Sequence, residues 1–169
     1  MSLNKLTVRI SEIINLGKGI DYDTFFETNV DGINEVSKRR VTVPTSSEKE
    51  ILAFDSSIGS GTFIENDIRY VRITNIGSDS SESDPSGSAE IRLTLKNTNN
   101  EEFAFRLPSG KSFMYNGRNK GDILGVSQSM AASGSALSSS LDEVFATLSN
   151  ITAQSSGSNC NLEFFVASS

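Results

Sequence analysis

Four acidic residues, Glu65, Asp67, Glu102 and Glu163, fall in or beside strand-like stretches of this 169-residue chain, where two carboxylates on facing strands would suffice for glycoside hydrolysis. Each fits the outward, solvated row of a strand as well, and that is the reading adopted. Asp79, Glu82 and Asp84 cluster in a polar loop, an arrangement of oxygen donors that suits a hard cation such as calcium, but their spacing matches no EF-hand. The run Pro108, Ser109, Gly110, Lys111, Ser112 contains the Gly-Lys-Ser end of a phosphate-binding loop without its upstream glycine, so it reads as a turn between strands. Histidine is absent, which removes the Ser-His-Asp and Cys-His arrangements and the commonest transition-metal ligand together. Cys160 is the single cysteine, so neither an intrachain disulfide nor a thiolate zinc cluster can form, and it reads as a small, partly buried residue of the last strand. The sequon Asn150-Ile151-Thr152 has no expected use without a signal peptide. No catalytic, cofactor-binding or metal-binding residue is assigned, and the chain is expected to be no enzyme and to need no cofactor.

A net charge of −6 and a pI near 4.7 argue against a surface that tracks phosphates, so nucleic acid is not an expected partner, nor is a small-molecule substrate. The only basic triplet, Lys38, Arg39 and Arg40, stands beside Val41 and Val43 and reads as a solvated strand edge that discourages sheet-to-sheet pairing. No apolar run approaches the roughly 18 residues of a membrane span, and no basic segment followed by a hydrophobic stretch opens the chain. The expectation is a soluble, unprocessed protein without a membrane partner.

The elements that carry these residues are strands. Ala89, Ile91, Leu93 and Leu95 alternate with Glu90, Arg92, Thr94 and Lys96, the period of a strand with one buried and one wet face. Phe103, Phe105 and Leu107 repeat it. With 69–76 and 111–115 they read as a four-strand meander, whose first strand is apolar on both faces, Tyr70 opposite Val71 and Ile73, and so belongs in the middle of a sheet. Earlier strands are expected over 5–14, 24–30 and 36–43, with Asp31-Gly32 as a hairpin-type turn and Pro44 as a stop. Because Phe25 and Phe26 adjoin, at least one of them must meet another layer or another subunit. Ser-rich loops are expected at 77–88 and 127–140. Near the end, Leu141, Val144, Phe145 and Leu148 fall at helical spacing behind a Ser140–Glu143 capping box, while 147–154 and 161–167 look like a closing hairpin around 155–159.

Nine or ten short strands, turns about every ten residues and at most one short helix predict a single all-β domain over 1–169, an antiparallel β-sandwich of which the jelly roll is one form. A small closed barrel is the rival.

Two stretches carry a resemblance. The segments VTVPT from Val41, EILAF from Glu50, GTFI from Gly61 and IRYVRITN from Ile68 resemble small structural proteins in the virions of tailed phages, especially marine and cyanobacterial ones. FAFRLPSGKSFMYN from Phe103 and CNLEFFVAS from Cys160 are similar to the same group, so the likeness spans roughly residues 41–169. It implies a virion component assembled in the host cytoplasm, of capsid decoration or cement type, whose partners are the major capsid protein and further copies of itself, with a homotrimer as one arrangement. The N-terminal segment and the exposed aromatics Phe25 or Phe26 and Phe165 are the expected partner contacts. The alternative expectation is a tail or fibre module that binds host-surface glycan, which would need stacking platforms from Tyr22, Tyr70 and Tyr115.

Overall fold

Alternating apolar and polar side chains build strands that each offer one row to a shared core. The computed structural model describes residues 4–15, 21–57, 59, 61–78, 89–99, 101–116, 125–126 and 146–169. In chain order the strands are β1 (Lys5–Asn15), β2 (Asp21–Asp31), β3 (Glu35–Val43), β4 (Lys49–Asp55), β5 (Thr62–Ile64), β6 (Ile68–Gly77), β7 (Glu90–Asn97), β8 (Glu102–Leu107), β9 (Ser112–Asn116), β10 (Gly125–Val126), β11 (Ala146–Ser156) and β12 (Cys160–Ser168). Eleven have three residues or more, β10 has two, and the only helical element among the described residues is a 3-10 turn at Glu65–Asp67. Of the helix expected near 141–148, Leu141, Val144 and Phe145 lie outside the described residues, while Leu148 is a buried residue of β11. The loops expected at 77–88 and 127–140, including Asp79, Glu82 and Asp84, also fall outside them, apart from Gly77 and Ser78.

Two sheets pack face to face. One has the order β3-β12-β6-β9, the other β5-β4-β11-β7-β8, with β10 paired to the start of β11. Every ladder is antiparallel except the short β4–β5 pair. The pairings nest: β7 with β8, β6 with β9, β4 with β11 and β3 with β12, each enclosing the one before. Folded so that successive ladders fall in opposite sheets, this nested ribbon is a jelly roll.

The core lies between the sheets. Val71 and Ile73 of β6 and Leu162, Phe164 and Val166 of β12 face Ile91, Leu93 and Leu95 of β7 and Ile151 and Ala153 of β11, all nearly or fully withdrawn from solvent. Each such aliphatic side chain contributes about 1.5–3 kcal/mol by leaving water. Cys160 lies at 0% exposure within this cluster, deeper than expected. Asn75, also at 0%, is its polar member. Its amide nitrogen donates to the carbonyls of Leu107 (2.9 Å) and Ala89 (3.2 Å), and its side-chain oxygen accepts from the Gly77 amide (2.8 Å). One amide thereby joins β6 to the ends of β7 and β8 in the facing sheet.

Three turn expectations need correction. The strands over 69–115 do not form a meander, because β6 and β9 pair in one sheet while β7 and β8 pair in the other. Within 69–115 the turn after Asn97 is a hairpin, which Asn97 secures by accepting from the amides of Asn99 and Glu101. Pro108–Gly110, Asp31–Gly32 and the β11–β12 link are corners, where the chain leaves one ladder for another. Gly32, Gly110 and Gly157 turn them with φ of 73°, 74° and 85°, a region that costs other residues roughly 1 kcal/mol. Corners and hairpins demand the same residue types, and for that reason β11 and β12 resembled a closing hairpin.

Candidate functional site

The hairpin β1–β2 belongs to neither sheet. Its register sets Leu6, Val8, Ile10, Glu12 and Ile14 opposite Val30, Thr28, Phe26, Thr24 and Tyr22, so one face is mostly apolar, with the polar Glu12–Thr24 pair between Ile10–Phe26 and Ile14–Tyr22. The other face pairs Lys5 with Asp31, Thr7 with Asn29, Arg9 with Glu27 and Ser11 with Phe25. Here the Thr7 hydroxyl lies 2.8 Å from the Asn29 side-chain oxygen, and the Arg9 guanidinium stacks 4.2 Å from the centre of the Phe25 ring.

Only the base of the apolar face is seated. Leu6, Val8, Val30 and Ile33 pack on Tyr70, Phe165 and Ala167, which form the outward row of the four-stranded sheet. Backbone bonds fix this end, with Gly32 and Ile33 donating to the Asn4 carbonyl and Asn34 to that of Ser168. Past the base the hairpin runs out bare: Ile14 is 51% exposed, Tyr22 60% and Phe26 63%, with Phe25 at 56% and Ile13 at 74% on the opposite face. A two-stranded ribbon without a covered face is marginal in water, and an apolar patch of this kind marks a surface that another molecule covers.

The structure thus separates the three aromatic residues expected to touch a partner. Phe25 and Phe26 stand on opposite faces of the projecting hairpin. Phe165 is not an exposed aromatic; it is half-buried under the hairpin base, edge-to-face with Tyr70 at 5.8 Å. Burial also holds the Tyr70 hydroxyl above its ordinary pKa. Within the N-terminal segment, sequence reasoning did not single out Ile10, Ile13 and Ile14 as exposed, because strand alternation gave no sign that the strand would stand away from the core.

Beside the seated hairpin, the same sheet face carries a charge cluster. Glu163 of β12 is 4% exposed, and its carboxylate meets Arg72 at 3.1 Å, Lys38 at 3.3 Å and Arg40 at 3.5 Å. Lys38 and Arg40 therefore do more than blunt an edge, although β3 is the edge strand. Cross-strand register causes the convergence, since Arg40 and Thr74 flank Glu163 directly, with Lys38 and Arg72 one diagonal away. Arg39, opposite Phe164, points to the inner side, where it lines a notch of about 360 Å³ with Glu35, Ser37, Thr62 and Asp67.

The four carboxylates considered for acid-base chemistry are not brought together. Glu65 and Asp67 share the 3-10 turn, Glu102 pairs with Lys96 at 3.1 Å on the other sheet, and Glu163 lies in the cationic cluster. On that other sheet Lys96 also holds Glu48 at 2.7 Å, a bond that lowers the Glu48 pKa and raises that of Lys96. Among the described residues no group of three or more His, Cys, Asp or Glu could hold a metal, and no helix is long and apolar enough to cross a membrane. No family model, curated protein or solved structure matches the chain.

Proposed function

We propose that this chain is a non-enzymatic structural protein of a tailed-phage virion, one that decorates or cements the outer capsid surface through contacts with major capsid subunits. The observation that carries the reading is the β1–β2 hairpin, which holds Ile14, Tyr22 and Phe26 in solvent on a rigid sandwich. A side-chain arrangement of this sort is suited to assembly. Two further points support it: jelly rolls recur in viral capsid domains, though by fold analogy alone, and the strand and turn motifs over 41–169 resemble phage virion proteins. Many copies on a symmetric shell would each bury a modest interface, with avidity in place of a strong single contact.

The glycan-binding alternative ranks lower because Tyr70 is buried and Tyr115 packs against the core, leaving Tyr22 as the exposed tyrosine platform. Co-sedimentation of the purified protein with expanded capsids, followed by image reconstruction, tests the proposal. Saturable binding and new density on the shell are expected. Lack of binding, with every capsid density retained in virions that lack the protein, would refute it.

A further inference from the structure

We infer that the bare distal half of the hairpin is covered by a second copy of this chain, lying on the outer face of that copy's four-stranded sheet beside Val36, Met114 and the Lys38–Arg40–Arg72 cluster. The inference rests on the reading of the chain as an assembly subunit and names the partner of its arm.

Continuity comes first. The apolar face of the hairpin runs along both halves, broken by the Glu12–Thr24 pair, and its proximal half already sits on this kind of sheet face, on Tyr70, Phe165 and Ala167. The rest of that face is uncovered and has apolar side chains of its own. Val36 lies opposite Ala167 and is 54% exposed, and Met114 lies opposite Arg72 and is 45% exposed. An arm from another copy would meet the same type of surface that its own base already occupies.

Charge points the same way. The sequences of β1 and β2 contain two basic residues, Lys5 and Arg9, and five acidic ones, of which Glu12 shares the docking row with Ile10 and Ile14 while Asp21, Asp23, Glu27 and Asp31 fall at positions of the other row and contribute through the arm's net charge. On the sheet face, three cations surround one carboxylate, and their side chains keep 50%, 45% and 37% of their exposure for Lys38, Arg40 and Arg72. An acidic arm and a cationic face attract and set each other's register.

Area agrees as well. Ile10, Ile14, Tyr22 and Phe26 are 39%, 51%, 60% and 63% exposed. At about 200 Å² per side chain these fractions leave on the order of 400 Å² per arm. One arm and the surface beneath it come to roughly 800 Å², small for a stable interface, whereas giving one arm and receiving another doubles this to about 1,600 Å², the usual size. A two-fold pair, in which both arms cross one interface and each copy is donor and acceptor, reaches that size.

Sedimentation velocity of the full chain over a concentration series, with Phe26→Ser and Tyr22→Ser beside wild type, tests this. Both side chains are exposed, so circular dichroism melts of dilute protein should be unchanged and loss of folding is excluded. Wild type should self-associate, each substitution should raise the dissociation constant at least about ten-fold, and added salt should raise it further. Cys160 is buried, so cysteines introduced at Phe26 in one sample and at Met114 in another should cross-link on mixing and not separately. A monomeric wild type, association indifferent to both substitutions, or no cross-link on mixing overturns the inference. Capsid binding by a monomeric wild type would sink the arm exchange and leave the virion reading standing; self-association without capsid binding would do the reverse.

Discussion

Replacing Asn75 should damage the sandwich as much as emptying one of its large core positions. Its side chain makes three hydrogen bonds at 2.8–3.2 Å with no exposure to solvent, two of them to carbonyls where the other sheet begins and ends its β7–β8 pair. At about 1 kcal/mol net for each bond, Asn75→Ala loses roughly 3 kcal/mol, and the small cavity adds about 1 more. Against a total of about 5–15 kcal/mol for a domain, that is a large fraction. Asn75→Asp keeps the shape and is the sharper test. It replaces two donors with an oxygen facing two carbonyl oxygens, so at neutral pH it should cost at least as much as the alanine. The new carboxyl would be buried with the Gly77 amide as its one donor and its other oxygen against two carbonyls, so its folded-state pKa would lie above the ordinary value of about 3.9. A raised carboxyl pKa means the folded state binds the proton more tightly, so the aspartate variant should recover stability relative to wild type as pH falls from about 7 to 5. Urea unfolding at several pH values, comparing midpoints at equal slope, measures all of this. If Asn75→Asp stays within about 1 kcal/mol of wild type at neutral pH, the bridging amide does not hold the sheets as described.

Two other perturbations follow from the outer faces. Glu163→Gln leaves Lys38, Arg40 and Arg72 together without their carboxylate; because these cations keep access to water, the expected loss is about 2 kcal/mol, less than for a fully enclosed pair, and it should shrink in high salt, as equilibrium unfolding at two ionic strengths would reveal. Glu48 has a lowered pKa through its bond to Lys96, so its contribution is present above the unfolded value near 4.5 and is lost as pH falls through the lower folded value. The raised Lys96 pKa acts in the opposite limb: its contribution is complete below about 10.5 and disappears as pH rises through the folded value. With side chains about a quarter exposed, the pair is worth under about 1 kcal/mol, and Glu48→Gln should flatten the acid limb of the stability–pH curve by that amount.

Local patterns were legible and distant pairings were not. Alternation through 89–96 marked β7 with its buried row, and the two-faced apolar pattern of 68–73 placed β6 inside a sheet, where it lies between β12 and β9. The adjacency of Phe25 and Phe26 implied that one of them meets another layer or subunit; among the described residues neither does, and both stand exposed on opposite faces of the hairpin. What escaped was decided by register between remote strands. Thr42 and Asn161, whose side chains hydrogen-bond at 3.1 Å across the β3–β12 ladder, are 119 residues apart. Glu163 had the right face, but its burial depends on Arg40 and Arg72 arriving from two other strands. Asn75 gave no signal, since an amide in an apolar run has meaning only once the carbonyls of Ala89 and Leu107 are placed beside it.

The nesting of the ladders also orders events in time. β12 lies between β3 and β6, so during synthesis the four-stranded sheet must wait without its inner strand until the last of these segments has left the ribosome. The arm's seat waits too, because Phe165 and Ala167 come from that strand. A chain interrupted before β12 has nowhere to anchor its hairpin, and assembly through the arm would admit only subunits whose synthesis has passed that point.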